Sequence, residues 1–265
     1  MEPAKPTGEW DAALAGRLRT ALTAGREELF AVLQDPSAEV LRAALKNRGL
    51  DEPHLLALLK RRDLPEDLLK AIHRSERTAA SHRLKLALAR HPATPGPLVQ
   101  SLLPQLHLFE LVDLCFLPGG TPDQKLAAER AIIQRLPTTE LGKKITLVRR
   151  CTSLVAGELL KQGEPRLMEA CLANPRLKEL SILQFLNGSR GSAETLSTVA
   201  RHPKWKHRPQ LQLALLKNPK TPSVWFTLLL PKLKTGDLRT LAASRRLRPG
   251  QKTLVRGELQ RRGLG

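Results

Sequence analysis

The chain has 265 residues, 41% of them apolar, 3% aromatic with no Tyr, and a net charge of +19. That much apolar surface excludes a globally disordered chain. Leu and Ala dominate it while β-branched and aromatic residues are scarce, which argues against a sheet and for an all-α fold.

The amino terminus, Met1-Glu2-Pro3-Ala4-Lys5-Pro6, has no apolar core of a secretory signal, and no long uncharged run suits a membrane span. Cys115, Cys151 and Cys171 are three and widely spaced, without a CxxC pair. They read as buried free thiols in a reducing cytoplasm and not as a disulfide or zinc framework. The Leu, Ala, Arg and Pro bias is that of a GC-rich bacterial genome.

From about residue 40 the chain repeats itself. ALKNRGLDE from Ala44 aligns with CLANPRLKE from Cys171, and Leu86–Leu106 aligns with Leu213–Leu233, always at an offset of 127. Residues 40–136 and 167–263 share 26 identities in 97 ungapped positions. Two tandem copies follow, 1–136 and 137–265. An inner period near 43, marked by Ala44-Leu45, Ala87-Leu88, Ala128, Cys171-Leu172 and Ala214-Leu215, divides each copy further, into about six units in all.

Within a unit, punctuation predicts about three short helices. Thr94-Pro95, Thr121-Pro122 and Thr221-Pro222 supply a capping hydroxyl before a Pro in the first turn. Thr121 with Gln124, and Asp63 with Glu66, have capping-box spacing. His91-Pro92, Asn174-Pro175, His202-Pro203 and Asn218-Pro219 end helices, Asn through its tolerance of a left-handed cap and Pro by blocking continuation.

This period and helix-turn-helix build resemble the armadillo/HEAT class of α-solenoids. The phrases LANP and LKNPKTP are similar to the bacterial leucine-rich repeat variant. The resemblance covers about Trp10 to Arg262 and implies one continuous α-solenoid serving as a scaffold for protein or nucleic-acid partners. The Cys-rich stretch associated with an iron–sulfur cluster in that variant has no counterpart here, so no cofactor is expected.

Charge separates the copies. Residues 1–136 hold 19 Lys and Arg against 17 Asp and Glu, a net of +2; residues 137–265 hold 25 against 8, a net of +17. The candidate nucleic-acid contacts are Arg201, Lys204, Lys206, Arg208, Lys217, Lys220, Lys232, Lys234, Arg245, Arg246 and Arg248. Many fall at turns between helices and are expected to line one edge, where evenly placed cations suit a phosphate backbone. With few aromatics to stack bases, duplex contacts to phosphate and shape are expected before sequence readout. Trp205, among Lys204, Lys206 and His207, reads as the exposed aromatic; Trp225 and Phe226 read as core.

No catalytic or metal motif emerges. His54, His73, His82, His91, His107, His202 and His207 show no HExxH and no metal spacing with Cys, and Gly119-Gly120 lacks the strand and GK[ST] of a phosphate loop. No small-molecule substrate or membrane partner is indicated. Two alternatives stand beside a nucleic-acid scaffold: a scaffold for an acidic protein, and a HEAT-like alkylpurine DNA glycosylase. For the glycosylase, Asp113, Trp205, Trp225 and Asp237 would be the residues to nominate.

Overall fold

A computed structural model describes residues 12–264; the reading of the first residues as lacking an export signal lies outside them. Among the described residues there are nineteen α-helices, three short 3-10 turns and no strand. None is long and apolar enough to cross a membrane. The chain forms two compact units, one ending at Ala131 and the other beginning at Ile132.

The first nine helices are α1 (Ala12–Thr23), α2 (Arg26–Val32), α3 (Ala38–Ala44), α4 (Glu52–Leu58), α5 (Glu66–Arg74), α6 (Glu76–Ala80), α7 (His82–Arg90), α8 (Gly96–Leu102) and α9 (Leu108–Cys115). The division between the units falls within α10 (Pro122–Arg135). The second unit continues with α11 (Leu141–Arg150), α12 (Ser153–Lys161), α13 (Pro165–Ala173), α14 (Glu179–Asn187) and α15 (Ala193–Arg201). It closes with α16 (Pro209–Lys217), α17 (Ser223–Leu229), α18 (Thr235–Ala242) and α19 (Pro249–Arg261).

The duplication is structural as well as sequential. Shifted by 127 positions, α7 superposes on the bounds of α16, α8 on α17 and α9 on α18. The one element without a counterpart is α6, whose positions in the second unit are a turn from Pro203 to His207. Two prolines, at 203 and 209, stand there in place of Glu76 and His82.

Packing follows one rule in both units: helices two apart in the chain lie side by side. α1 packs on α3, α3 on α5, and α2 on α4; α11 packs on α13, α13 on α15, α12 on α14 and α14 on α16. The apolar stripe of each short helix is thereby covered by its neighbours. Leu41, Leu68, Leu69 and Ile72 in the first unit, and Leu159, Leu172, Ile182 and Phe226 in the second, lose essentially all contact with solvent. Burial at this level stabilises by about 1.5–3 kcal/mol per side chain, against the entropy of ordering it.

The turns depart from their predicted chemistry. Thr121 and Gln124 form the expected reciprocal cap, with the Thr121 hydroxyl 3.2 Å from the Gln124 N–H and the Gln124 oxygen 2.9 Å from the Thr121 N–H. Thr94 and Thr221 do not cap the following helix. Their buried hydroxyls donate backwards, to the carbonyls of Leu88 at 2.7 Å and Leu215 at 2.6 Å, satisfying the end of the preceding helix. Asp63 is no cap either, because its carboxylate forms a forked pair with Arg61 and α5 begins after Pro65.

Asn174 and Asn218 end their helices in extended backbone, not in the left-handed region, and no described residue other than glycine has a positive φ. Each accepts the N–H two residues on and donates its amide to the layer before. Asn174 reaches Val148 and Cys151, and Asn218 reaches Leu186 at 2.7 Å. Asn47 does the same toward Ala21 and Ala24 at 3.0 and 3.1 Å. His91 stands in for the amide at the fourth position: Nδ1 accepts from the Ala93 N–H and Nε2 lies 2.6 Å from the Arg61 carbonyl.

Candidate functional site

Ten of the eleven nominated cations are exposed, and Lys217 is half-buried. Among the described residues only one of them reaches a carboxylate, Arg208 with Glu179 at a loose 3.9 Å. Lys220 and Arg246 donate to backbone carbonyls instead, of Ser189 at 2.6 Å and Asn187 at 3.0 Å, and keep their full charge.

Those two bonds also sort the cations. Lys220 and Arg246 both reach the loop that follows α14, where Arg190 is exposed. Gly163 brings that loop in: its φ is +68°, and a Cβ there would sit 2.7 Å from the Arg190 carbonyl oxygen. Arg201, Lys204, Lys206 and Arg208 lie at the opposite end, tied down by Trp205 on Leu172 and Arg208 on Glu179. The turn carrying Lys232 and Lys234 follows Leu229, which shares a small cleft with Trp205 and Lys206. Arg208 thus meets the first residue of α14, while Lys220 and Arg246 bond at and just past its last, nine residues or about 13 Å of helix along.

Trp205 corrects the reading of an exposed aromatic. It is 4% exposed, its indole N–H donates to the Leu172 carbonyl at 2.9 Å, and Lys204 sits over its ring at 4.5 Å. Its basic neighbours face solvent while the ring fills the space left by the missing α6 counterpart, so it offers no platform for a base. Phe226 is fully buried as expected, whereas Trp225 is only half-buried and donates to the Ser197 hydroxyl at 2.9 Å.

The first unit handles charge differently. Arg17 pairs with Asp35, Arg26 with Asp51, Arg42 with Asp67, Arg83 with Glu52 and Arg90 with Asp113. A cleft of about 510 Å³, absent from the sequence reading, is lined by Lys60, Arg61, Arg62, Arg83 and Arg90. Three of these already face carboxylates, since Arg61 is held by Asp63. In the second unit the ion pairs among the described residues join Lys143 to Glu140, Lys161 to Glu158, Arg208 to Glu179, and Arg261 and Arg262 to Glu258, and of the nominated cations they include Arg208 alone.

Sequence also gave no hint of a cluster of His82, His107 and Glu110 in the first unit, whose donor atoms all lie within 4.8 Å of one another. His82 Nε2 is 2.9 and 2.8 Å from the two Glu110 oxygens, and the two imidazoles lie 4.5 Å apart. Although burial works against it, the His107 backbone N–H and the His82 ring hold the Glu110 carboxyl below its usual range. His82 lies on another helix from Glu110, so sequence spacing gave no sign that the two meet.

All three cysteines are buried and none is in a disulfide, and burial pushes the Cys171 thiol up to about 12. That makes it a packing residue and not a nucleophile at neutral pH. Comparison with protein-family models, curated proteins and solved structures gives no match.

Proposed function

We propose that the chain is a non-enzymatic scaffold that binds nucleic acid, as a duplex read through phosphate and shape, with the cations of its second block. Each unit is read as an α-solenoid of armadillo/HEAT type, in units of about 43 residues, supported by the side-by-side packing of helices two apart. The observation that carries the functional reading is the lack of counter-ions. Among the described residues these eleven cations, ten of them exposed, meet one distant carboxylate, which leaves a field that a polyanion neutralises with release of its condensed counter-ions. The anchor points of Arg208 at one end of α14 and of Lys220 and Arg246 at the other lie about 13 Å apart along the helix, a span that suits the ~12 Å width of the major groove of B-form DNA. No exposed aromatic accompanies them, which favours backbone contacts over base stacking.

Charge reversal tests it. The Lys204→Glu, Lys206→Glu, Arg245→Glu, Arg246→Glu variant weakens duplex binding on every sequence alike. The Lys60→Glu, Arg83→Glu variant of the first unit leaves binding unchanged. Equal losses in both would refute the assignment to the second block.

A second reading, a scaffold for an acidic protein, draws on Val224 and Leu228, one turn apart on α17 and 56% and 50% exposed. Copurification of an acidic protein after nuclease treatment, with no duplex affinity in the pure chain, would select it. The glycosylase reading loses Trp205 as a ring available to a damaged nucleotide. Release of abasic sites from alkylated duplex would restore that reading.

A further inference from the structure

The proposed scaffold makes no use of the cluster on the first unit, and its chemistry is that of a metal site. We propose that His82, His107 and Glu110 bind one divalent transition-metal ion, with zinc the best match to the donor set. Two imidazole nitrogens and one carboxylate oxygen are the ligands of three-coordinate zinc sites that keep a fourth position for water.

The geometry is partly built. His82 is the first residue of α7 and His107 precedes the first of α9, so two helix starts fix both rings. Glu110 lies one turn into α9, where its Oε2 accepts the His107 backbone N–H at 2.7 Å. That bond orients the carboxylate as outer hydrogen bonds orient metal ligands, and leaves Oε1 facing His82 Nε2 at 2.9 Å. In the empty site a proton bridges Nε2 and the carboxylate. A dication replaces it, which requires the N···O separation to open only to about 3.3 Å for tetrahedral bonds of ~2.0–2.1 Å. Binding therefore displaces that proton.

The duplication supplies an internal comparison. The positions 127 residues on are Pro209, Lys234 and Asp237, which cannot repeat the donor set, so one ion per chain is expected.

The test uses the full chain, stripped with chelator and titrated with cobalt(II) alone, followed by displacement with zinc(II). The expected result is one equivalent of cobalt with the visible absorption of a four-coordinate ion, discharged by zinc. His107 is exposed, so His107→Ala folds as the parent does, which circular dichroism checks, and it weakens cobalt binding at least tenfold. Glu110→Gln weakens it similarly. Uptake of cobalt with unchanged affinity in the His107→Ala chain, or no saturable uptake at all, overturns the site and leaves His82 and Glu110 as an ion pair between two helices.

Discussion

Asn47 and Asn174 stand 127 positions apart, and each sends its side-chain amide to the same two places in the layer before it. Asn47 donates to Ala21 and Ala24, and Asn174 to Val148 and Cys151, again 127 apart. These carbonyls end α1 and α11, where no intrahelical partner remains. One buried amide thus closes its own turn and the end of a neighbouring helix, which makes it a repeating fastener between layers.

Replacing either amide exposes that role. Asn47→Ala or Asn174→Ala leaves buried carbonyls unpaired and lowers stability by about 1–3 kcal/mol, read as a fall in the urea midpoint. Duplex affinity of the folded protein stays as it was, because neither side chain reaches the surface.

His91 fills the corresponding place with a ring that titrates. Burial pushes it below its ordinary value of 6.5, with the Arg61 carbonyl opposing, and its two bonds require a neutral ring protonated on Nε2. The unfolded chain then binds more protons than the folded one between the depressed value and 6.5. Stability is complete above about pH 6.5 and falls as the pH drops through that window. His202, lowered by burial and by Lys204, adds to the same slope. His91→Asn, copying Asn218, is expected to keep the bonds and flatten the dependence. An unaltered slope of unfolding free energy between pH 5 and 7 would contradict this role.

Trp205 separates stability from binding. Trp205→Phe removes the donor to Leu172 and destabilises by about 1–3 kcal/mol, while duplex affinity measured by anisotropy stays within twofold. A large loss of affinity in the folded variant would return the ring to the surface.

Part of this was legible in the sequence. The two-copy plan was readable because the copies align without a gap, and the helices follow because Leu and Ala recur at helical spacing between Pro marks. The turn residues were found but their partners misjudged. A hydroxyl at Thr94 or Thr221 bonds six residues back, and the amides at Asn174 and Asn218 bond a helix some 26–32 residues upstream, which only packing brings near. Trp205 was misread for the same reason: its charged neighbours are local, while the carbonyl that holds it is 33 residues away. The cations were identifiable one by one. That Arg208 meets one end of α14 and Lys220 and Arg246 the other depends on packing, as does His82 of α7 meeting Glu110 at the start of α9.

The account rests on the nominated cations of the second block, of which Arg208 alone pairs with a carboxylate among the described residues. Duplex affinity of the full chain, followed by fluorescence anisotropy across a salt series, measures that directly. With about six phosphates engaged, log K falls against log salt with a slope near −5. Affinity that ignores salt, or no affinity at low salt, would contradict it.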